Sequence, residues 1–231
     1  MAALDDLAAS SRQSGTTSIG LVTGTAGIGK TATVVQWAHR VADQFPDGQL
    51  YVNLRGFVPT GSPLEPAEAL QGFLDALAVS PDRVAFTVDA MAGLYRSVLA
   101  GRRVLVVLDN ARDGDQIRPL LPGSPGCVVV VTSRNQLSGL IAAEGARPIT
   151  LDLLTDGEAC HLLKSLLGAT RVGREPEAAY ALIEHCARLP LALTIAGARA
   201  AIDPELSLDD LADQLDAGEQ ATNVRAVLSW S

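Results

Sequence analysis

Lysine is nearly absent from this chain: Lys30 and Lys164 stand against sixteen arginines. Aromatic residues make up only 4%. The three cysteines, Cys127, Cys160 and Cys186, lie far apart with no C-x-x-C. That spacing argues against a disulfide framework or a paired-cysteine metal site and fits reduced thiols in a cytoplasm. Cys127 and Cys186 fall in apolar patterns and are expected in a core. Cys160-His161 and His185-Cys186 lack further ligands at workable spacing, and with His39 they read as helix side chains. No apolar run is long enough to span a bilayer, and no basic-then-apolar start marks export, so a cytoplasmic location off the membrane is expected. No basic run exceeds Arg102-Arg103, and the net charge is −8. A protein that grips nucleic acid unaided shows a basic face, so direct nucleic-acid binding is not expected. The guanine-reading pattern N-K-x-D is also missing, because neither lysine follows an asparagine; adenine is favoured.

One of the two lysines closes the most informative stretch. Residues 24–31 read GTAGIGKT, in which Gly24, Gly29, Lys30 and Thr31 fit the phosphate-binding pattern G-x-x-x-x-G-K-[ST]. A compact ammonium on a flexible stem can reach between a β- and a γ-phosphate, which explains a lysine in an arginine-using chain. Residues 19–23 before the loop are apolar and β-branched, as in a buried strand. Val34, Trp37, Ala38 and Val41 after it recur at i, i+3, i+4, i+7, one face of a helix. Strand, glycine loop and helix N-terminus together make an anion cradle. Gly24, Thr25, Ala26, Gly27, Ile28, Gly29, Lys30, Thr31 and Ala32 are therefore the expected nucleotide-binding residues, with the Thr31 hydroxyl on Mg²⁺.

Five strands are expected, at 19–23, 49–54, 104–108, 127–132 and 147–151, separated by helices near 30–44, 66–78, 89–100, 113–120 and 135–143. Residues 104–108 and 127–131 are apolar without alternation, so both faces should be covered, as in a parallel sheet between helices. Beyond about residue 153 the strands stop. Thr155 with Glu158 forms a capping box opening a helix at 156–168. Further helices are expected at 175–187, at 190–202 with Pro190 in its first turn, and after Ser207, with the stripe Leu208, Leu211, Ala212 and Leu215. The chain thus reads as an α/β domain over 1–153 and a small all-helical domain over 154–231. Residues 216–231 show weak periodicity, as though cut where another domain begins.

The remaining site parts follow from the strand ends. Asp109 closes the apolar run Val104–Leu108, a poor place for a charge without a partner. A P-loop enzyme needs an acidic residue there to hold Mg²⁺. Asn110 follows where a second carboxylate could activate water. An amide orients water but cannot take its proton, so slow hydrolysis is expected. Arg134, just past the fourth strand, is placed to reach a γ-phosphate. With Lys30, these three are the expected catalytic residues. An alternative is a stand-alone P-loop kinase or other phosphotransferase using the C-terminal helices as a lid.

The ordered stretches GTAGIGKT, VLVVLDNARD, VVVTSRNQL and CARLPLAL resemble the NB-ARC nucleotide-binding domain of STAND-class signalling ATPases. AHRVADQFPDGQLYVNLRG and RPLLPGSPGCVVVVTSR are similar to the AfsR-like subgroup, large actinobacterial regulators of the SARP class. The resemblance covers about residues 3–231. It implies a regulatory ATP/ADP switch with slow, Mg²⁺-dependent ATP hydrolysis, in a larger transcriptional regulator of secondary-metabolite (antibiotic) genes. It implies phosphate contacts from residues 24–31, Mg²⁺ at Thr31 and Asp109, and a γ-phosphate-sensing Arg134. Pro190, within Leu189-Pro190-Leu191, would pack on the adenine. Arg188 stands where that motif often has glycine. In such proteins the nucleotide sits between the α/β and helical domains, holding them closed with ADP. The implied partners are the DNA-binding and winged-helix or sensor domains of a parent protein, with oligomerisation under nucleotide control.

Overall fold

The computed structural model of the chain describes residues 1–11, 15–57, 62–84 and 87–217. The expected weak periodicity at 216–231 lies almost wholly outside these. The chain divides into two compact units, one of Met1–Thr25 with Lys30–Leu151, the other of Ala26–Gly29 with the chain from Asp152 onward. Among the described residues no helix is long and apolar enough to cross a membrane.

The first unit contains one five-stranded parallel sheet. Its strands are β1 (Ser18–Thr23), β2 (Gln49–Asn53), β3 (Leu105–Ala111), β4 (Val128–Ser133) and β5 (Arg147–Thr150), in the order β2-β3-β4-β1-β5. The helices are α1 (Ala2–Ser11), α2 (Lys30–Arg40), α3 (Pro66–Ala76), α4 (Val88–Leu99), α5 (Gly114–Ile117) and α6 (Ser138–Glu144). The unalternating apolar strands are covered on both faces, as their pattern requires. Val106, Leu108, Val129 and Val131 join Leu70 and Phe73 of α3 and Tyr95 of α4 in one core. Leu105, Val107, Val128 and Val130 point the other way, toward Val34 and Trp37 of α2 and Leu4 and Leu7 of α1. Each such side chain contributes roughly 1.5–3 kcal/mol by leaving water. Cys127 is fully buried, as expected. The edge strand β2 alternates instead, with Gln49, Tyr51 and Asn53 exposed.

The second unit holds α7 (Asp156–Leu167), α8 (Ala169–Arg174), α9 (Pro176–His185), α10 (Pro190–Ile202) and α11 (Leu208–Ala217) around an apolar core that includes Leu163, Leu182, Leu193 and Leu211. Cys186 is fully buried there, and burial pushes its thiol up to about 12. The capping box forms: Thr155 Oγ1 accepts from Glu158 N, and Glu158 Oε2 accepts from Thr155 N. Pro190 is the first residue of α10, and Ser207 Oγ accepts from Asp210 N at the start of α11.

Several boundaries differ from the sequence reading. Helix α2 stops at Arg40, and Ala42–Gln44 form a separate tight turn. α6 starts at Ser138 rather than near 135, because Leu137 adopts a left-handed conformation (φ 41°). α1 and α8 carry patterns too short or too weak to have announced themselves. The largest departure is β3, which does not end at Leu108 but runs on through Asp109 and Asn110 to Ala111.

Candidate functional site

The site grows from the end of β3. Leu108 pairs with Val131, yet Ala111 pairs with Ser133, so three residues of β3 oppose two of β4. The extra residue makes a bulge. Asn110 absorbs it with φ 58°, a left-handed conformation that asparagine tolerates better than most residues. Its N–H donates to Thr132 Oγ1 at 2.8 Å, and its carbonyl accepts from Gly56 N at 2.7 Å. A Cβ on Gly56 would stand 2.5 Å from both Asn110 O and Arg112 N, so only glycine fits against the bulge. Asn110 thus has a conformational duty beside any role toward water.

Asp109 is buried to 3% exposure at the centre of a hydroxyl cluster. Its Oδ1 accepts from Thr31 Oγ1 at 2.8 Å and from Thr132 Oγ1 at 2.6 Å. Its Oδ2 accepts from the Tyr51 phenol at 3.3 Å. A carboxylate at this depth is expensive unless its lone pairs are taken up, and these three donors do so. Thr31 at the start of α2 and Asp109 on β3, expected to serve one metal ion, are therefore in direct contact.

In the loop before α2, Gly24, Gly27 and Gly29 all have positive φ (149°, 78° and 89°), which turns the peptide planes as a phosphate cradle requires. Lys30 Nζ donates to the carbonyls of Gly24 (2.8 Å) and Thr25 (2.9 Å), folding its stem over the loop. Partial burial holds this ammonium below the usual lysine range; the Arg134 charge adds to the effect and Asp109 opposes it. Arg134 is exposed directly after β4, with its guanidinium 5.1 Å from the centroid of the Phe57 ring. Lys30, Thr31, Asp109 and Arg134 thus share one electrostatic neighbourhood, and the loop, Thr31 and Asp109 fit a nucleotide phosphate with its divalent ion.

Within the second unit, Leu191 N donates to Gly27 O at 3.1 Å, and a Cβ on Gly29 would stand 4.0 Å from Pro190 Cγ. Pro190 is thereby beside the loop apex. Arg188 has φ 55°, at the end of α9, where its N–H donates to Ile183 O. Its side chain pairs with Asp156 at 2.9 Å. The left-handed backbone supplies the physical reason for glycine in this motif.

Tyr51, Thr132, Gly56 and Phe57 were not singled out for the site from sequence. Thr132 was within reach, since it opens the Thr-Ser-Arg run after an apolar strand. No spacing rule points to the other three.

The NB-ARC domain family model matches residues 3–173. The chain is 44% identical over 197 residues to the regulatory protein AfsR of Streptomyces griseus, covering 85% of this chain and 20% of that protein. It is 40% identical over 222 residues to AfsR of Streptomyces coelicolor, covering 92% of this chain and 22% of that protein. The chain therefore spans about a fifth of the length of these relatives. Among solved structures, a Walker-type ATPase of Pyrococcus abyssi shares the fold, with TM-score 0.56 and 11% identity, over 87% of this chain and 67% of that one. With the family model matched over most of its length and a P-loop fold beneath it, the chain belongs to the NB-ARC family of nucleotide-binding regulatory domains.

Proposed function

We propose that this chain is an ATP/ADP switch with slow, Mg²⁺-dependent hydrolysis, serving a larger transcriptional regulator of secondary-metabolite (antibiotic) genes. The observation that carries the reading is the Thr31–Asp109 contact beside the glycine loop. Lys30 exchanges its two carbonyl partners for phosphate oxygens. Thr31 and Asp109 hold Mg²⁺, which when bound neutralises phosphate charge. Arg134 answers to the γ-phosphate, and Pro190 packs on the adenine. Thr25, Ala26, Ile28 and Ala32 contribute main-chain groups around the phosphates. The similarity to AfsR, of which the chain covers about a fifth, supports further domains of a parent protein as partners. Nucleotide-dependent oligomerisation is part of the proposal, and the net charge of −8 favours no direct DNA binding by this segment.

Calorimetric ADP titration of wild type and Lys30→Ala tests the reading. The variant loses about 1.5–3 kcal/mol of binding, the scale of a charge-assisted hydrogen bond. Equal affinities rule the site out. Slow turnover is attributed to Asn110, since general-base help contributes roughly 10²–10⁴-fold where it operates. Aspartate also tolerates the left-handed backbone, so Asn110→Asp raises single-turnover ATP hydrolysis with the bulge preserved. An unchanged rate with intact binding assigns Asn110 to the bulge alone.

A further inference from the structure

The two oxygens of Asp109 are held differently. Oδ1 is shared by two hydroxyls from its own surroundings, Thr31 at the start of α2 and Thr132 on the adjacent strand β4. Oδ2 accepts from Tyr51, which comes from the edge strand β2. In the parallel register Tyr51 lies opposite Val107, so its side chain leaves the sheet on the same face as Val107 and, two residues on, Asp109. From there it reaches diagonally to the carboxylate. The ring also lines a cavity of about 270 Å³ with Val35, Ala38, His39, Gln49 and Val107. Tyr51 is 52% exposed, so it is not there to fill the core.

We propose that Tyr51 is a positioning residue for Asp109: its hydroxyl fixes the plane of the carboxylate and thereby sets how tightly the site takes Mg²⁺ together with a nucleoside diphosphate. The proposal rests on Asp109 being a metal-holding carboxylate. At 3.3 Å the bond is long for a hydroxyl donor, so the effect is moderate.

Tyr51→Phe removes one oxygen and keeps the ring. ADP affinity is measured by calorimetry in EDTA and across a Mg²⁺ series, on wild type, Tyr51→Phe and Asp109→Asn. Thermal melts without nucleotide or metal accompany them. The expected result for Tyr51→Phe is an unchanged melt, unchanged affinity in EDTA, and a Mg²⁺ midpoint raised about 3- to 10-fold, on the scale of one partly exposed hydrogen bond to a charge. An unchanged midpoint overturns the proposal. So does an equal loss with and without Mg²⁺, which marks a general structural role. If Asp109→Asn keeps the wild-type Mg²⁺ dependence, the metal reading of Asp109 fails and the proposal falls with it. If Asp109→Asn loses that dependence while Tyr51→Phe keeps it, Tyr51 alone is rejected.

Discussion

The two units are built on opposite policies toward buried polarity. In the α/β unit Ser18, Thr23, Asp109, Gln116, Ser124, Thr132 and Ser133 are all buried. Most have identifiable work: Gln116 Nε2 donates to the carbonyls of Leu54 and Leu64, and Ser133 Oγ to that of Ala111. These bonds fasten the loops at the carboxyl ends of β2, β3 and β4. Among the described residues the helical unit buries no polar side chain; alanine, leucine, isoleucine, valine and one cysteine fill its core. A polar interior specifies geometry at a chosen place, whereas an apolar one supplies cohesion. The difference teaches where sequence change should cost stability and where it should cost ligand.

The sharpest way to break this comparison is to exchange the expected costs. Leu193→Ala, in the fully buried core of the helical unit, leaves a cavity and costs about 2–5 kcal/mol by denaturant unfolding. Asp109→Asn costs less than about 1 kcal/mol of stability, because removing a buried charge offsets the weakened hydroxyl cluster. It lowers Mg²⁺-dependent ADP affinity by about 1.5–3 kcal/mol. If Asp109→Asn melts the protein as severely as Leu193→Ala, the polar centre is structural and the contrast fails. A smaller effect sharpens it from the helical side. Arg188→Gly relieves a left-handed backbone and loses only an exposed ion pair, with a net gain of about 0.5–1 kcal/mol in unfolding measurements. A loss of that size instead shows that the pair with Asp156 outweighs the strain.

What could be read from sequence tracks local physics. The stripe Val34, Trp37, Ala38, Val41 is buried as its spacing required. Thr155 and Glu158 form their box, and α10 spans 190–202 because proline fixes its start. The apolar strands β3 and β4 announced a sheet covered on both faces. Legibility failed where a distant partner decides the outcome. The bulge at Asp109 is fixed by Thr132 and Gly56, which lie 23 and 53–54 positions away in the chain, and nothing in Leu108-Asp109-Asn110 reveals it. Helix α1 is held by Leu4 and Leu7 against the sheet and by the Trp37 indole donating to Asp5 at 3.0 Å. Its own pattern is weak without that surface. Tyr51 looked like one more strand residue until its register with Val107 was known.

Gly56 ties two distant columns of any family alignment together. A side chain there would collide with the backbone at Asn110 and Arg112, not with a side chain that could shrink in response. No compensating substitution on β3 can therefore make room; the bulge itself would have to be lost. Sequences of this family that replace the glycine should also lack asparagine, aspartate or glycine at the position after the buried carboxylate, and the two positions should drift together or not at all.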